Sequence, residues 1–196
     1  MEGKMRENFK IQKDKAALLI IDMQRHFCDP KSSFFVPGSD TLAGRLRTLV
    51  DAFSKNNLPI VFTRHIDSDE KDNLMLRWWS EQIREDDPMS EVMQVLEPNK
   101  GITVIKHQYD GFLNTDLEKI LLTKGVRQVI VCGVLTNLCC ETTARSAFMR
   151  GFEVFFVKDG TATFKQAMHE ASLLNLSYGF AVLTTIQDVV KALNPE

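Results

Sequence analysis

The segment 128–151, QVIVCGVLTNLCCETTARSAFMRG, decides how the rest of the chain is read. Its opening run, QVIVCGV, is apolar and β-branched with no polar alternation, the pattern of a strand covered on both faces. The part that follows, 137–150, has the length of a helix, starts on Asn137 as a good N-cap and stops at Gly151. The same strand-then-helix alternation extends outward in both directions. Strands are expected at 16–21 (AALLII), 59–63 (PIVFT), 102–105 (ITVI), 153–157 (EVFFV) and 180–184 (FAVLT), each buried on both faces. Helices are expected at 42–56, 114–124 and 165–178, the last two stopped by Gly125 and Gly179. Parallel strands need crossovers, so this rhythm implies an α/β fold: a doubly wound, mainly parallel six-stranded sheet flanked by helices on both faces.

No repeat, low-complexity tract or linker divides the chain, and residues 1–196 are expected to form a single domain. Two stretches depart from the rhythm. Residues 1–12 are expected to be a loose N-terminal arm, and residues 64–100 a charged, Trp-containing excursion serving as a lid or an interface. The net charge of -2 argues against a nucleic-acid or anionic-membrane partner, both of which need a basic face. No apolar run approaches the ~20 residues of a membrane span. The opening MEGKMRENFKIQKDK has no apolar signal segment, so the expected compartment is the cytoplasm. The four cysteines, Cys28, Cys132, Cys139 and Cys140, fit neither a disulfide framework nor zinc-ligand spacing. They are expected to be reduced thiols.

In an open α/β sheet, ligands bind beyond the carboxyl ends of the strands. Asp22 follows the first expected strand, Lys106 the third, and Cys139 lies just past the fourth at a helix start. The first turn of a helix lowers a thiol pKa, so Cys139 is the candidate nucleophile, whereas Cys140, one position deeper, reads as packing. Asp22 can take the thiol proton, and Lys106 can stabilise carboxylate and thiolate. Backbone N–H groups around Leu135 and Cys139 can cradle an oxyanion. Each residue also has a plainer alternative: a packed Cys, an Asp that caps its turn, a solvated Lys. Their common position at strand ends favours the chemical reading.

The stretches IDMQRHF, VIKHQYDGFLNTDL and GVLTNLCCETTARSAFMRGFEV resemble the isochorismatase-like cysteine hydrolase superfamily, with a likeness that runs over roughly residues 15–190. The resemblance implies Cys139 as nucleophile, Asp22 as general base and Lys106 as third member of a triad. It also implies a non-proline cis peptide between Val134 and Leu135. A cysteine at position 139 favours amide or ureido chemistry over the vinyl-ether hydrolysis of isochorismatases. The stretches CCETTARSAF, GFEVFFVKDGTATF and LRWW look most like the plant-type nicotinamidase branch. That branch converts nicotinamide to nicotinic acid and ammonia, here through a thioester acyl-enzyme.

On that likeness an aromatic sandwich for a pyridine ring is expected from Phe27 and either Trp78 or Trp79, with Tyr109 as a further substrate contact. The alternative for the Trp pair is packing of the excursion or a subunit contact. Many microbial nicotinamidases hold a metal through an Asp-x-His pair and a later His. Here the order is inverted, His65-x-Asp67, with His107 next, so no metal and no cofactor are expected. A small N-carbamoyl or ureido acid, or an isochorismatase-like substrate of another kind, is the alternative. His26 and His169 have no motif role. The likeness further implies a homo-oligomer, a dimer or tetramer, with the excursion and the helix after Cys139 as contact surfaces. A nucleotide- or flavin-binding switch is disfavoured because DMQRHF lacks the glycines of a phosphate loop. A non-catalytic scaffold is disfavoured because all three triad positions are intact.

Overall fold

The computed structural model describes residues 9–70 and 72–194. Most of the expected N-terminal arm, residues 1–8, lies outside this range. Six strands form one sheet: β1 (Ala16–Ile21), β2 (Ile60–His65), β3 (Ile102–Lys106), β4 (Gln128–Val134), β5 (Glu153–Ala162) and β6 (Val182–Thr184). Their order is β3-β2-β1-β4-β5-β6, and every pairing is parallel. The chain builds outward from β1 to one edge, then returns to lay β4 on the other side. This reversal leaves a crevice past the carboxyl ends of β1 and β4, where ligands bind in such sheets.

The helices are α1 (Arg25–Cys28), α2 (Ser39–Lys55), α3 (Leu74–Trp79), α4 (Leu117–Thr123), α5 (Glu141–Met149), α6 (Gln166–Gly179) and α7 (Ile186–Leu193). Two cores sandwich the sheet. Ala16, Leu18 and Ile20 of β1 pack with α2 and α7 through residues such as Leu46, Phe53 and Val189. The alternate residues Ala17, Leu19 and Ile21 pack with α4, α5 and α6 through Leu121, Ala147 and Leu176. This is the physical content of an unbroken apolar strand: side chains alternate between faces, and both faces are covered. Burial of each such Leu or Ile is worth about 1.5–3 kcal/mol.

The edge strand β3 corrects the expectation of burial on both faces. Ile102 and Ile105 are each 37% exposed, because β3 lies at the edge of the sheet, where among the described residues no strand pairs beyond it. Strand β2 runs two residues past its expected end, so Arg64 and His65 belong to the sheet and not to the excursion, and His65 stands opposite Lys106. Strand β5 likewise continues to Ala162, past an irregularity opposite Val131 and Gly133 of β4. The helix expected at 137–150 is divided: Thr136–Cys140 forms a π-helical turn, and α5 begins only at Glu141. Helix α7 has no counterpart in the expected elements. Among the described residues, no helix is long and apolar enough to cross a membrane.

Beyond β2 the excursion is mostly turns, with α3 capped by the Asn73 side chain, which accepts from the N–H groups of Met75 and Leu76. It is tied to the body at Gln24, which is fully buried. The Gln24 amide donates to the carbonyls of His65 (2.9 Å) and Ser90 (2.8 Å), and its oxygen accepts from His65 N–H (2.7 Å). One side chain thus fixes the end of β2 against the far end of the excursion.

Candidate active site

Three strand ends deliver three side chains to one place. Asp22 follows β1, Lys106 closes β3, and Cys139 sits in the π-helical turn after β4. Lys106 Nζ is 2.7 Å from Asp22 Oδ2 and 3.4 Å from Cys139 Sγ, and it also donates to the carbonyl of Gln108 at 2.8 Å. Asp22 and Lys106 have no exposed surface, and Cys139 retains only 5%. Asp22 is fixed from β2: the Thr63 hydroxyl donates to its Oδ1 at 2.6 Å and accepts from its N–H at 3.0 Å. Its positive φ of 46° turns the chain out of β1 immediately past the sheet.

The close approach of β1 and β4 depends on Gly133, which is opposite Ile21 and has φ of 115°. A Cβ there would lie 2.1 Å from the Ile21 carbonyl oxygen. The next peptide, Val134–Leu135, is cis. Leu135 lines the pocket beside Cys139, and its carbonyl accepts from the N–H groups of Leu138 and Cys140.

The electrostatics differ from the sequence expectation in one respect. Burial pushes the Cys139 thiol up to about 12; Lys106 pulls it down and Asp22 pushes it up. A lowered pKa was the expectation from a helix start. The π-helical turn instead places the sulfur beneath the surface, where desolvation of a thiolate outweighs the rest. That raised pKa favours the thiol in the resting site, where Lys106 Nζ bridges the sulfur to the Asp22 carboxylate that can take its proton. Burial likewise opposes the Lys106 charge, but Asp22 and Cys139 overcome it and hold the ammonium above its ordinary range. Cys140 is fully buried, its pKa raised well above the ordinary value by burial, and Cys28, Cys132, Cys139 and Cys140 are all free thiols.

Above Cys139 lies a pocket with about 510 Å³ of empty space, its open mouth included. Its walls are aromatic: Phe27, Phe34, Trp79, Tyr109 and Phe164. Trp79 Nε1 donates to the Tyr109 hydroxyl at 2.9 Å, which joins the excursion to the segment after β3. Of the two tryptophans, Trp79 reaches this pocket. Trp78 is 73% exposed and borders only an outer groove, with Leu74 and Met168, which Trp79 lines from its other side.

The polar part of the lining is His26, His65, Asp67 and Glu81. His26 stacks on Phe34 with ring centres 5.2 Å apart, and burial lowers its pKa, with Glu81 acting in the opposite sense. His65 Nε2 lies 3.4 Å from Asp67 Oδ1, while Asp67 Oδ2 accepts from Ile83 N–H at 2.8 Å. His107 turns Nδ1 to the carbonyl of Ile66 at 2.7 Å, and His169 pairs with the Thr136 hydroxyl at 3.0 Å. These donors do not suit a metal ion: His65 and Asp67 are committed to each other and His107 to backbone. Among the described residues, no group of three or more His, Cys, Asp or Glu side chains is placed to hold one. Nothing in the sequence singles out Gln24, Phe34 or Glu81. Thr63 ends the expected second strand, and the strand-end rule reaches His65 once β2 is given its full length.

The same architecture recurs in known proteins. Residues 16–188 match the family described as Isochorismatase domain. Nicotinamidase 3 of Arabidopsis thaliana is 41% identical over 183 residues, covering 91% of this chain and 88% of that protein. A cysteine hydrolase from Pseudomonas syringae superposes with a TM-score of 0.89 at 28% identity, covering 95% of each chain. A pyrazinamidase of Pyrococcus horikoshii, solved in complex with zinc, gives 0.78 at 28% identity over 87% of this chain and 99% of that one. Fold and sequence agree, and the chain belongs to the isochorismatase-domain family of hydrolases.

Proposed function

We propose that the chain is a cysteine-dependent amidohydrolase that converts a small uncharged aromatic amide, nicotinamide foremost, to its acid and ammonia. The observation that carries this reading is the contact of one buried ammonium with both a carboxylate and a thiol at the floor of an aromatic pocket. In this mechanism Asp22 accepts the Cys139 proton as the sulfur attacks the amide carbon, so the S–C bond forms while the proton is held at Oδ. Lys106 keeps its charge and stabilises both anions. Backbone N–H groups of Leu135 and Cys139 receive the oxyanion. The C–N bond then breaks, the nitrogen leaves with the proton from Asp22, and a thioester remains. Asp22 then takes a proton from water as the water oxygen attacks the thioester carbon; the S–C bond breaks, the acid is released, and Asp22 returns the proton to sulfur.

The lining supports an uncharged substrate. It includes Asp67 and Glu81 but, among the described residues, no Arg or Lys. A ureido acid or isochorismate carries a carboxylate that would meet these acids with no cation to receive it. The similarity to Nicotinamidase 3 points the same way. Ammonia release from nicotinamide is expected to be lost in Cys139→Ala and retained in Cys140→Ala. Equal loss in both variants refutes the assignment of roles.

The reading includes a cytoplasmic setting and a homo-oligomer, for which exposed Phe148 and Met149 on α5 offer an apolar contact. Sedimentation as a monomer at micromolar concentration would refute the assembly.

A further inference from the structure

We propose that His169 is a positioning residue: through the Thr136 hydroxyl it holds the turn that carries Cys139 in its reactive shape, and its loss slows the chemical step while leaving substrate binding intact. The inference rests on the amidohydrolase reading above, in which backbone N–H groups of Leu135, just before that turn, and Cys139, within it, receive the oxyanion.

The turn Thr136–Cys140 is π-helical, a winding that is rare, short and frequent at functional sites. Its backbone closes widely: the N–H of Glu141 reaches the Thr136 carbonyl, and that of Cys140 reaches the Leu135 carbonyl. An ordinary α-helical turn is the competing shape for the same residues, and it would rotate Cys139 relative to Asp22 and Lys106. The side chains that tie the turn down therefore help to aim the sulfur. Thr163 donates to the Asn137 amide oxygen, and Ser172 of α6 donates to Glu141 where α5 begins. The third tie is His169, also on α6, whose Nδ1 lies 3.0 Å from the Thr136 hydroxyl oxygen. Thr136 has no exposed surface, so its hydroxyl depends on the protein for an acceptor.

The imidazole suits that task. Burial lowers the pKa of His169, with Glu170 and the Lys158 carbonyl acting in the opposite sense, so the ring is uncharged at neutral pH. A neutral imidazole has one donor and one acceptor nitrogen. The Lys158 carbonyl, on β5, can take only the N–H, which leaves Nδ1 to accept from Thr136. One ring thus joins α6, β5 and the turn of the nucleophile. Neither His169 nor Thr136 lines the pocket above Cys139, so any effect on the reaction passes through the turn and not through contact with substrate.

The test measures kcat and KM for nicotinamide in His169→Leu, His169→Asn, Thr136→Val and the double variant of His169→Leu with Thr136→Val. His169→Leu should lower kcat about ten- to a hundredfold with KM within about twofold of wild type, the range for reacting groups misplaced by up to about 1 Å. His169→Asn puts an amide oxygen close to the place of Nδ1 and should restore most of kcat. Thr136→Val keeps the shape, removes the hydroxyl and should match His169→Leu. Both remove the same bond, so the double variant should be no slower than either single one. A residue that only supports the fold would move the urea midpoint and leave kcat of the folded protein alone.

An unchanged kcat in folded His169→Leu overturns the proposal, as does a loss that falls on KM. It is overturned equally if His169→Asn is no faster than His169→Leu, or if the losses multiply in the double variant. Should His169→Leu fail to fold, Thr136→Val decides alone, and kcat retained there overturns the proposal. If the wild-type protein releases no ammonia from nicotinamide, the amidohydrolase reading falls and takes this inference with it. Wild-type turnover with a kcat indifferent to these variants leaves that reading standing and removes only the role of His169.

Discussion

Replacing Lys106 by Met tests the buried triad through stability alone. The change keeps an unbranched side chain of similar length but removes the charge 2.7 Å from Asp22, in a site where neither group has exposed surface. At an effective dielectric constant of about 20, two unit charges at that distance attract by about 6 kcal/mol. Desolvation of both ions offsets much of this, and removing one partner of a buried pair typically costs about 3–5 kcal/mol. That is a large part of the ~5–15 kcal/mol by which domains are stable, so the loss is plain in a urea titration. Adding Asp22→Asn to Lys106→Met removes the stranded carboxylate. The double variant should therefore recover most of the lost stability, with a coupling energy of more than ~2 kcal/mol, yet remain inactive on nicotinamide. A double variant destabilised by the simple sum of the two single changes refutes the reasoning.

Gly133→Ala should destabilise by more than about 3 kcal/mol, because its Cβ would meet the Ile21 oxygen at 2.1 Å and its φ is 115°; an unchanged urea midpoint would contradict this. Trp79→Phe keeps the ring but loses the bond to Tyr109, and should raise the KM for nicotinamide about fivefold, the worth of roughly 1 kcal/mol. Trp78→Ala, at the exposed outer groove, should leave KM unchanged, and a reversed ranking would exchange their roles. Burial lowers the pKa of His26 and of His169 from 6.5 in the folded state. The unfolded chain then binds more protons below that value, so stability should be full above it and fall as the pH drops through it. His26→Phe should flatten part of that slope between pH 7 and 5, and an unaltered slope counts against the assignment.

The central strands were legible in the sequence because their environment is simple. Strands β1 and β4 begin and end where their apolar runs do, since both faces are covered along their whole length. Strand β2 was legible only in part: Arg64 and His65 look like a loop in composition, and only pairing with β3 and the clamp of Gln24 keep them in the sheet. Strand β5 hides its second half behind Lys158, Asp159 and Gly160. Helix α7 had an available signal, the Thr185 cap whose hydroxyl accepts from Asp188 N–H, in a Thr-x-x-Asp pattern. For the site, Asp22, Lys106 and Cys139 could be placed because a strand end is a position in sequence. His65 and Glu81 could not, because their partnerships depend on register and on how the excursion folds back.

The charge balance of the pocket wall has a consequence for turnover. On the amidohydrolase reading the amide enters neutral, but the acid that leaves is ionised at neutral pH and must pass a lining that holds Asp67 and Glu81 and, apart from the Lys106 ammonium buried behind Cys139, no ammonium or guanidinium to detain it. Like charges at close range in a desolvated cleft repel, so the reaction itself converts a well-matched guest into an unwelcome one. Expulsion of nicotinate should then be fast, and the accumulating anion a feeble competitor for its own precursor.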